Sequence, residues 1–156
     1  IDHQFFQYDH VRTSTKRQVG SIFKPLVYAT AIDKGISPCE LVPANRETYI
    51  DEEGEEWTPR NSNIDYEVKY TMRGALAYSV NTVAVKMIMK AGVNETKEVA
   101  RKMGIESELP DVPSIALGSP SVSLMEMTQA FSGFANEGET VKPIYVTKVV
   151  DVKGNI

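Results

Sequence analysis

A single cysteine, Cys39, stands among 156 residues, so no disulfide can form within the chain. It follows a Ser-Pro turn, a setting that fits a small packed residue better than a nucleophile. Histidine is almost as scarce. His3 and His10 are seven apart and have no partner at ligand spacing, so no metal site and no cofactor is assigned. No run of about 18 apolar residues exists, which excludes a helical membrane span within this sequence. Positive charge is not in excess. The formal net charge of -4 argues against a dedicated nucleic-acid partner. No repeat, no low-complexity segment and no signal peptide is visible. The chain opens at Ile1 without a methionine and reads as an excised piece, so a missing targeting signal says nothing about location.

What is present suits one modest domain with a real core. Hydrophobic residues make up 42% and charged residues 24% of the chain, an ordinary globular balance over a sufficient length. The most informative stretch is Gly20-Ser21-Ile22-Phe23-Lys24-Pro25, which leads into the apolar run Leu26 to Ile32. Helical residues three apart lie on one face. If Ser21 opens a helix, Lys24 projects from the same side one turn on. A serine needs a base beside it to become a nucleophile. From Ile22 to Ile32 Lys24 is the only charged residue, so the helix reads as buried on all sides. Burial favours the neutral amine that accepts a proton. Pro25 falls in or next to the first turn, where it is tolerated, and Gly35 is a stop signal. The same stretch also reads as a core helix with a serine cap and a lysine reaching for solvent.

Elsewhere the patterns place the remaining elements. Residues 1–20 read as a polar and aromatic approach segment (Phe5, Phe6, Tyr8), or as a basic rim of Arg12, Lys16 and Arg17 near the serine. Glu47-Thr48-Tyr49-Ile50 reads as a short strand. The acidic run Asp51 to Glu56 reads as a solvated hairpin tip, since it lacks the alternating ligands of a calcium loop. Asn63 and Asp65 are turn formers. Thr71 caps a helix through Met72, Leu76 and Tyr78 that breaks at Ser79-Val80-Asn81. A second helix runs from Thr82 to Ala91 and stops at Gly92. Ser79 and Asn81 in that break offer a hydroxyl and an amide held by rigid flanks, suited to proton relay and to binding a substrate amide. They also fit ordinary caps. Asn94 is expected to cap a helix closed by Gly104. Pro113 to Pro120 reads as an apolar loop. Ser123-Leu124-Met125-Glu126 is a capping box, and the helix behind it carries Met127, Ala130, Phe131 and Phe134 as a core stripe. Met125 and Met127 read as packing residues. Val141 to Val152 is expected to be a strand, followed by a turn at Lys153-Gly154-Asn155.

Ser21-x-x-Lys24 followed by Ser79-Val80-Asn81 resembles two of the three signature motifs of penicillin-binding proteins. The resemblance extends beyond the motifs. Arg17-Gln18-Val19-Gly20-Ser21, Trp57-x-Pro59-x-Asn61, Ala75 to Thr82, Ile115-Ala116-Leu117-Gly118, Phe134-Ala135-Asn136 with Gly138, and Val141-Lys142-Pro143 are similar to the transpeptidase domain of the class A, bifunctional kind. The resemblance covers almost all of residues 1–156. It implies an α+β fold, mostly helical here, that forms part of the serine β-lactamase and penicillin-binding transpeptidase fold. Much of the central antiparallel sheet is expected to be missing. The third motif, Lys-Thr-Gly, occurs nowhere in the chain.

The resemblance further implies a peptidoglycan D,D-transpeptidase that works through a serine acyl-enzyme on D-alanyl-D-alanine stem peptides and is acylated by β-lactams. Ser21 would be the nucleophile, Lys24 the base, Ser79 the relay and Asn81 the binder of the peptide amide. No cofactor is implied. Location would be the extracytoplasmic face of the bacterial cytoplasmic membrane, through an anchor outside these residues. Other functions open at this point are a serine β-lactamase, a β-lactam sensor, or a non-catalytic helical scaffold. Unpaired sheet edges would favour self-association.

Overall fold

The computed structural model describes residues 9–11, 14–50, 54–62, 65–144 and 146–155. Arg12, His3, the aromatic residues before position 9, residues 51–53 of the acidic turn, and Asn63 fall outside these, as does Tyr145 of the expected last strand. The fold is α+β and mainly helical. Among the described residues five α-helices carry it: α1 Lys24–Asp33, α2 Met72–Ala77, α3 Asn81–Ala91, α4 Val93–Lys102 and α5 Leu124–Ala135. Two 3-10 turns, Gly20–Phe23 and Pro113–Leu117, complete the helical part. None of the helices among the described residues is long and apolar enough to cross a membrane.

α1 and α3 form the centre. α1 packs on α3 and α4, and α3 packs in turn on the 3-10 turn Pro113–Leu117. Phe23, Leu26, Val27 and Ala31 of the first segment meet Val83, Ala84, Met87 and Ile88 of α3 in one core that contains Ile105, Ile115 and Ala116. The expected burial of the stretch Ile22 to Ile32 holds for most of its length, but Ile22, in the 3-10 turn before α1, and Ile32, near the end of α1, are half exposed.

Among the described residues three small antiparallel pairs flank the helices. β1 (Lys16–Gln18) pairs with β6 (Ser121–Ser123), in register Lys16 with Ser123 and Gln18 with Ser121. β2 (Val42–Pro43) pairs with β5 (Lys69–Tyr70). β3 (Tyr49–Ile50) pairs with β4 (Glu56–Trp57), on either side of the acidic run, and brings Tyr49 against Trp57. The approach segment is therefore partly a strand. β1 is tied to a partner more than 100 residues away, a pairing that no local pattern reveals.

Helix ends follow the sequence closely. Thr71 caps α2 by accepting from the Gly74 N–H at 3.2 Å. Ser123 and Glu126 form the expected capping box at α5. After α1, the Gly35 N–H bonds the Ile32 carbonyl and the Ile36 N–H bonds the Ala31 carbonyl. After α4, Gly104 and Ile105 repeat the pattern on Arg101 and Ala100. Both glycines have positive φ, and both ends are Schellman closures.

Several expectations are corrected. The first helix opens as a 3-10 turn at Ser21 and becomes α-helical only from Lys24. Asn94 is not a cap: α4 begins at Val93, because Gly92, at φ +101°, ends α3 and starts α4 with no linker between them. Residues 113–117 are a 3-10 turn rather than a loop. Cys39 is exposed, not packed. Phe131 and Phe134 are partly exposed and pack edge-on against each other, because no described element covers that side of α5. Residues 141–152 form no strand among the described residues. A strand needs a ladder partner for its backbone groups, and no described segment pairs with this one. The turn that follows does form, with the Asp151 carboxylate accepting from the Lys153 and Asn155 backbone N–H groups.

Candidate active site

Lys24 has no solvent exposure. Its Nζ donates to the Ser79 carbonyl at 2.7 Å, to Ser79 Oγ at 2.8 Å and to Asn81 Oδ1 at 2.6 Å. Ser79 Oγ lies in turn 3.0 Å from Ser21 Oγ. All four residues singled out in the sequence therefore meet in one hydrogen-bonded chain, Ser21–Ser79–Lys24–Asn81. One detail differs from the helical-face argument. The lysine reaches Ser21 through Ser79, not directly. Ser21 lies in a 3-10 turn, whose tighter winding changes the angle between the two side chains.

Burial pushes the Lys24 amine down from its ordinary value of 10.5 to about 8, because a poorly hydrated site disfavours the charged form. Three acceptors match the three hydrogens of the ammonium form. The neutral form keeps two of those bonds and presents its lone pair to Ser79 Oγ–H. Ser79 is then free to accept from Ser21 Oγ–H. The same geometry thus accommodates both protonation states of the amine, with Ser79 Oγ bridging Lys24 and Ser21. Ser21 also sits in the first turn of a helical segment, where the backbone dipole favours negative charge.

Ser79 owes its position to a strained backbone. α2 closes with the Ser79 N–H on the Leu76 carbonyl and the Val80 N–H on the Ala75 carbonyl. This is the closure seen after α1 and α4. Here a serine at φ +53° takes the place of glycine. Such a conformation costs a non-glycine residue of the order of 1 kcal/mol. Val80, fully buried, pins the strained turn to the core.

Two further devices hold the site, and neither was assigned a role from the sequence. The first is Arg60-Asn61, part of the Trp57-x-Pro59-x-Asn61 pattern. The Arg60 carbonyl accepts from Asn81 Nδ2 at 2.8 Å, and Asn61 Oδ1 accepts from the Thr82 N–H at 3.0 Å. Asn61 Nδ2 donates to Thr82 Oγ1 at 3.0 Å, and that hydroxyl donates to the Ala44 carbonyl. The second is the loop after Leu117. The Gly20 N–H donates to the Gly118 carbonyl at 3.0 Å and the Val19 N–H to the Pro120 carbonyl at 3.1 Å. A glycine after an apolar turn is visible in the sequence; its contact with the residue before Ser21 is not.

The buried carboxylate of Glu126 anchors the next layer. It accepts from the Ser123 and Ser107 backbone N–H groups at 2.9 and 2.6 Å, from both hydroxyls at 2.6 and 2.9 Å, and from the Glu106 N–H at 3.0 Å. Burial alone would raise this carboxyl. The bonds from Ser123 and Ser107 outweigh it and hold the group below the usual carboxylate range, since hydrogen bonds to the charged form favour ionisation. Glu126 thereby ties β6, and through it β1 and the approach to Ser21, to the end of α4.

Comparison with known proteins bears on the family and the fold. The chain is 37% identical to penicillin-binding protein 1A of Aquifex aeolicus over 141 residues, 90% of this chain and 19% of the relative. It is 37% identical to penicillin-binding protein 2D of Bacillus subtilis over 157 residues, 99% of this chain and 23% of the relative. The chain thus spans about a fifth of the length of these relatives. The crystal structure of penicillin-binding protein 1A from Haemophilus influenzae superposes with a TM-score of 0.86 at 28% identity, over 93% of this chain and 22% of that one. The fold is that of the penicillin-binding transpeptidases, represented here by its helical part with few short strands. Residues 3–155 match the family described as the penicillin binding protein transpeptidase domain, and the chain, with relatives of the class A type, belongs to that family.

Proposed function

We propose that this chain is the helical part of a peptidoglycan D,D-transpeptidase domain and that Ser21 is its nucleophile. The observation that carries the reading is the continuous hydrogen-bonded chain from Ser21 Oγ through Ser79 Oγ to Lys24 Nζ. Ser21 Oγ attacks the carbonyl between the two terminal D-alanines of a stem peptide. Its proton passes to Ser79 as Ser79 passes its own to neutral Lys24. The new C–O bond creates a tetrahedral oxyanion, for which the Ser21 N–H is one donor. The C–N bond then breaks. The leaving D-alanine nitrogen takes a proton from Lys24 through Ser79, and an acyl-enzyme remains. An amine of a neighbouring stem attacks the ester carbonyl, and Lys24 accepts its proton by the same route. As the ester C–O bond breaks, Lys24 returns that proton through Ser79 to Ser21 Oγ, which leaves the cross-link formed and Lys24 neutral. Asn81 holds the peptide amide. β-Lactams imitate the D-alanyl-D-alanine end and acylate the same oxygen.

The Lys-Thr-Gly motif, absent from these residues, would supply the second oxyanion donor and the binder of the substrate carboxylate on a strand completing the sheet. Loss of one oxyanion donor costs about 10²–10³ in rate, so the 156-residue chain alone is expected to acylate slowly or not at all. The reading places the domain on the extracytoplasmic face of the bacterial membrane, anchored through a segment outside these residues. Each two-stranded pair also leaves outer edges open among the described residues, a route to self-association.

The test is intact mass after incubation with penicillin. It compares this chain, a longer chain that also carries the Lys-Thr-Gly strand, and the Ser21→Ala variant of each. A penicilloyl adduct on the longer chain that vanishes with Ser21→Ala is the expected result. A folded longer chain that takes up no penicillin would sink the reading.

A further inference from the structure

We infer that Asn61 is a positioning residue that fixes which end of the Asn81 amide faces Lys24. A primary amide is nearly symmetric in shape but not in chemistry: one end only accepts, the other only donates. Asn81 stands between two groups that demand opposite ends. On one side Lys24 Nζ, a donor, lies 2.6 Å from Oδ1. On the other the Arg60 carbonyl, an acceptor, lies 2.8 Å from Nδ2. Rotated by half a turn, the amide would set donor against donor at Lys24 and oxygen against oxygen at Arg60. The Arg60 carbonyl therefore selects the productive orientation, provided it stays where it is.

Asn61 keeps it there. The dipeptide Arg60-Asn61 meets the dipeptide Asn81-Thr82 through three bonds: Asn81 Nδ2 to the Arg60 carbonyl, the Thr82 N–H to Asn61 Oδ1, and Asn61 Nδ2 to Thr82 Oγ1. Two of the three belong to the Asn61 side chain, and they end on the first turn of α3. Thr82 is itself fixed, almost fully buried and bonded to the Ala44 carbonyl. Asn61 is fixed from behind by the Tyr66 hydroxyl, which accepts from its backbone N–H at 3.1 Å. The segment 60–61 is thus locked in register with α3, and its link to Lys24 runs through Asn81. With Oδ1 on Lys24 and one Nδ2 hydrogen on Arg60, the second Nδ2 hydrogen is directed to a substrate carbonyl. That last step, and only that step, rests on the transpeptidase reading.

Two measurements test the inference, one of them independent of activity. The first is exchange of the Asn81 side-chain amide hydrogens with water, followed by NMR in the 156-residue chain. In the native chain the hydrogen bonded to Arg60 is expected to exchange slowly. Asn61→Ala should speed it at least tenfold. Asn61→Asp keeps an acceptor for the Thr82 N–H and should preserve most of the protection, even if the alanine variant fails to fold. Protection unchanged in folded Asn61→Ala, or lost in folded Asn61→Asp, overturns the inference.

The second is the rate of penicillin acylation in the longer chain for Asn61→Ala, Asn81→Ala and the double variant. Removal of an orienting group is expected to slow acylation about 10–100-fold. If Asn61 acts through Asn81, the double variant is no slower than Asn81→Ala alone. Multiplying losses would mean that Asn61 acts by some other route, and would overturn the inference. Amide protection as expected, together with a folded longer chain that takes up no penicillin, would refute the transpeptidase reading while leaving the role of Asn61 intact.

Discussion

A Cβ on Gly118 would lie 1.9 Å from the carbonyl oxygen of Gly20 and 2.3 Å from its nitrogen. The two glycines are far apart in the chain, and they bring the loop after Leu117 into backbone contact with the residue that precedes Ser21. Gly118 is also left-handed, at φ +75°. Both the space and the conformation require glycine there. Gly118→Ala must therefore move Gly20, and Ser21 with it. We expect a loss of about 3 kcal/mol, or about 6–12 °C in melting temperature for a chain of this size. Thermal unfolding followed by circular dichroism checks it; a melting temperature indistinguishable from the native one would contradict the contact.

Ser79 permits a cleaner separation of strain from chemistry. Ser79→Gly and Ser79→Ala both remove the relay hydroxyl. The backbone there stands at φ +53°, a conformation in which only glycine is comfortable. The glycine variant is expected to be more stable than the alanine variant by about 1 kcal/mol, with acylation equally impaired in both. Denaturant unfolding of the pair, set beside their penicillin acylation rates, tests the two halves separately. An alanine variant as stable as the glycine one would mean that the backbone relaxes there.

The buried amine of Lys24 sets a pH dependence. Its value falls from 10.5 to about 8 through burial. Only the neutral amine accepts the proton from Ser79. Acylation should therefore rise with pH through about 8 and fall about tenfold per unit well below it. The stability effect has the same sign. Between about pH 8 and 10.5 the unfolded chain holds a proton on this lysine that the folded chain has lost, so stability attributable to Lys24 rises with pH across that window. The burial penalty is fully present below it. Acylation rates from about pH 6 to 9, and unfolding of the native chain against Lys24→Met at about pH 7.5 and 9.5, report the two effects. A flat rate profile would exclude Lys24 as the base.

Glu126 behaves in the opposite way. Its folded value is depressed by the bonds from Ser123 and Ser107, which outweigh the opposing effect of burial. Its contribution is present above the ordinary glutamate value and is lost as pH falls through the folded one. Glu126→Gln puts an amide nitrogen where an oxygen accepted, and leaves a buried N–H or hydroxyl unpaired. The expected cost near neutral pH is about 1–3 kcal/mol. Melting temperatures of the native and variant chains should differ most at neutral pH and converge in acid. A gap that stays constant from about pH 7 to pH 3 would show that the carboxylate charge is irrelevant.

Much of the local chemistry was legible. The apolar run behind Ser21, the glycine stops at Gly35, Gly92 and Gly104, the Thr71 cap and the Ser123–Glu126 box all depend on residues within a turn or two of each other, and each was found where the pattern puts it. Ser21, Lys24, Ser79 and Asn81, which meet in one hydrogen-bonded chain, stood out for the same reason, as two short motifs. Expectations failed where the answer depends on what lies across space. The β-branched run at 141–152 has the propensity of a strand but no ladder partner among the described residues. Phe131 and Phe134 have the spacing of a core stripe but no described element over them.

Most helices, several of their ends, and the two motifs that bring a serine, a lysine, a second serine and an asparagine into question are thus written in the sequence. Periodicity and capping act over three to five residues, and the chain carries them wherever it goes. Only the tertiary structure decided that Lys24 meets Ser79 rather than Ser21, that Ser79 is held in a glycine-like backbone, that Asn61 and Arg60 orient Asn81, and that Gly118 presses on Gly20. These are hydrogen bonds and close approaches between segments distant in the chain. They are fixed by how α1, α2 and α3 pack, and no local pattern encodes their distances.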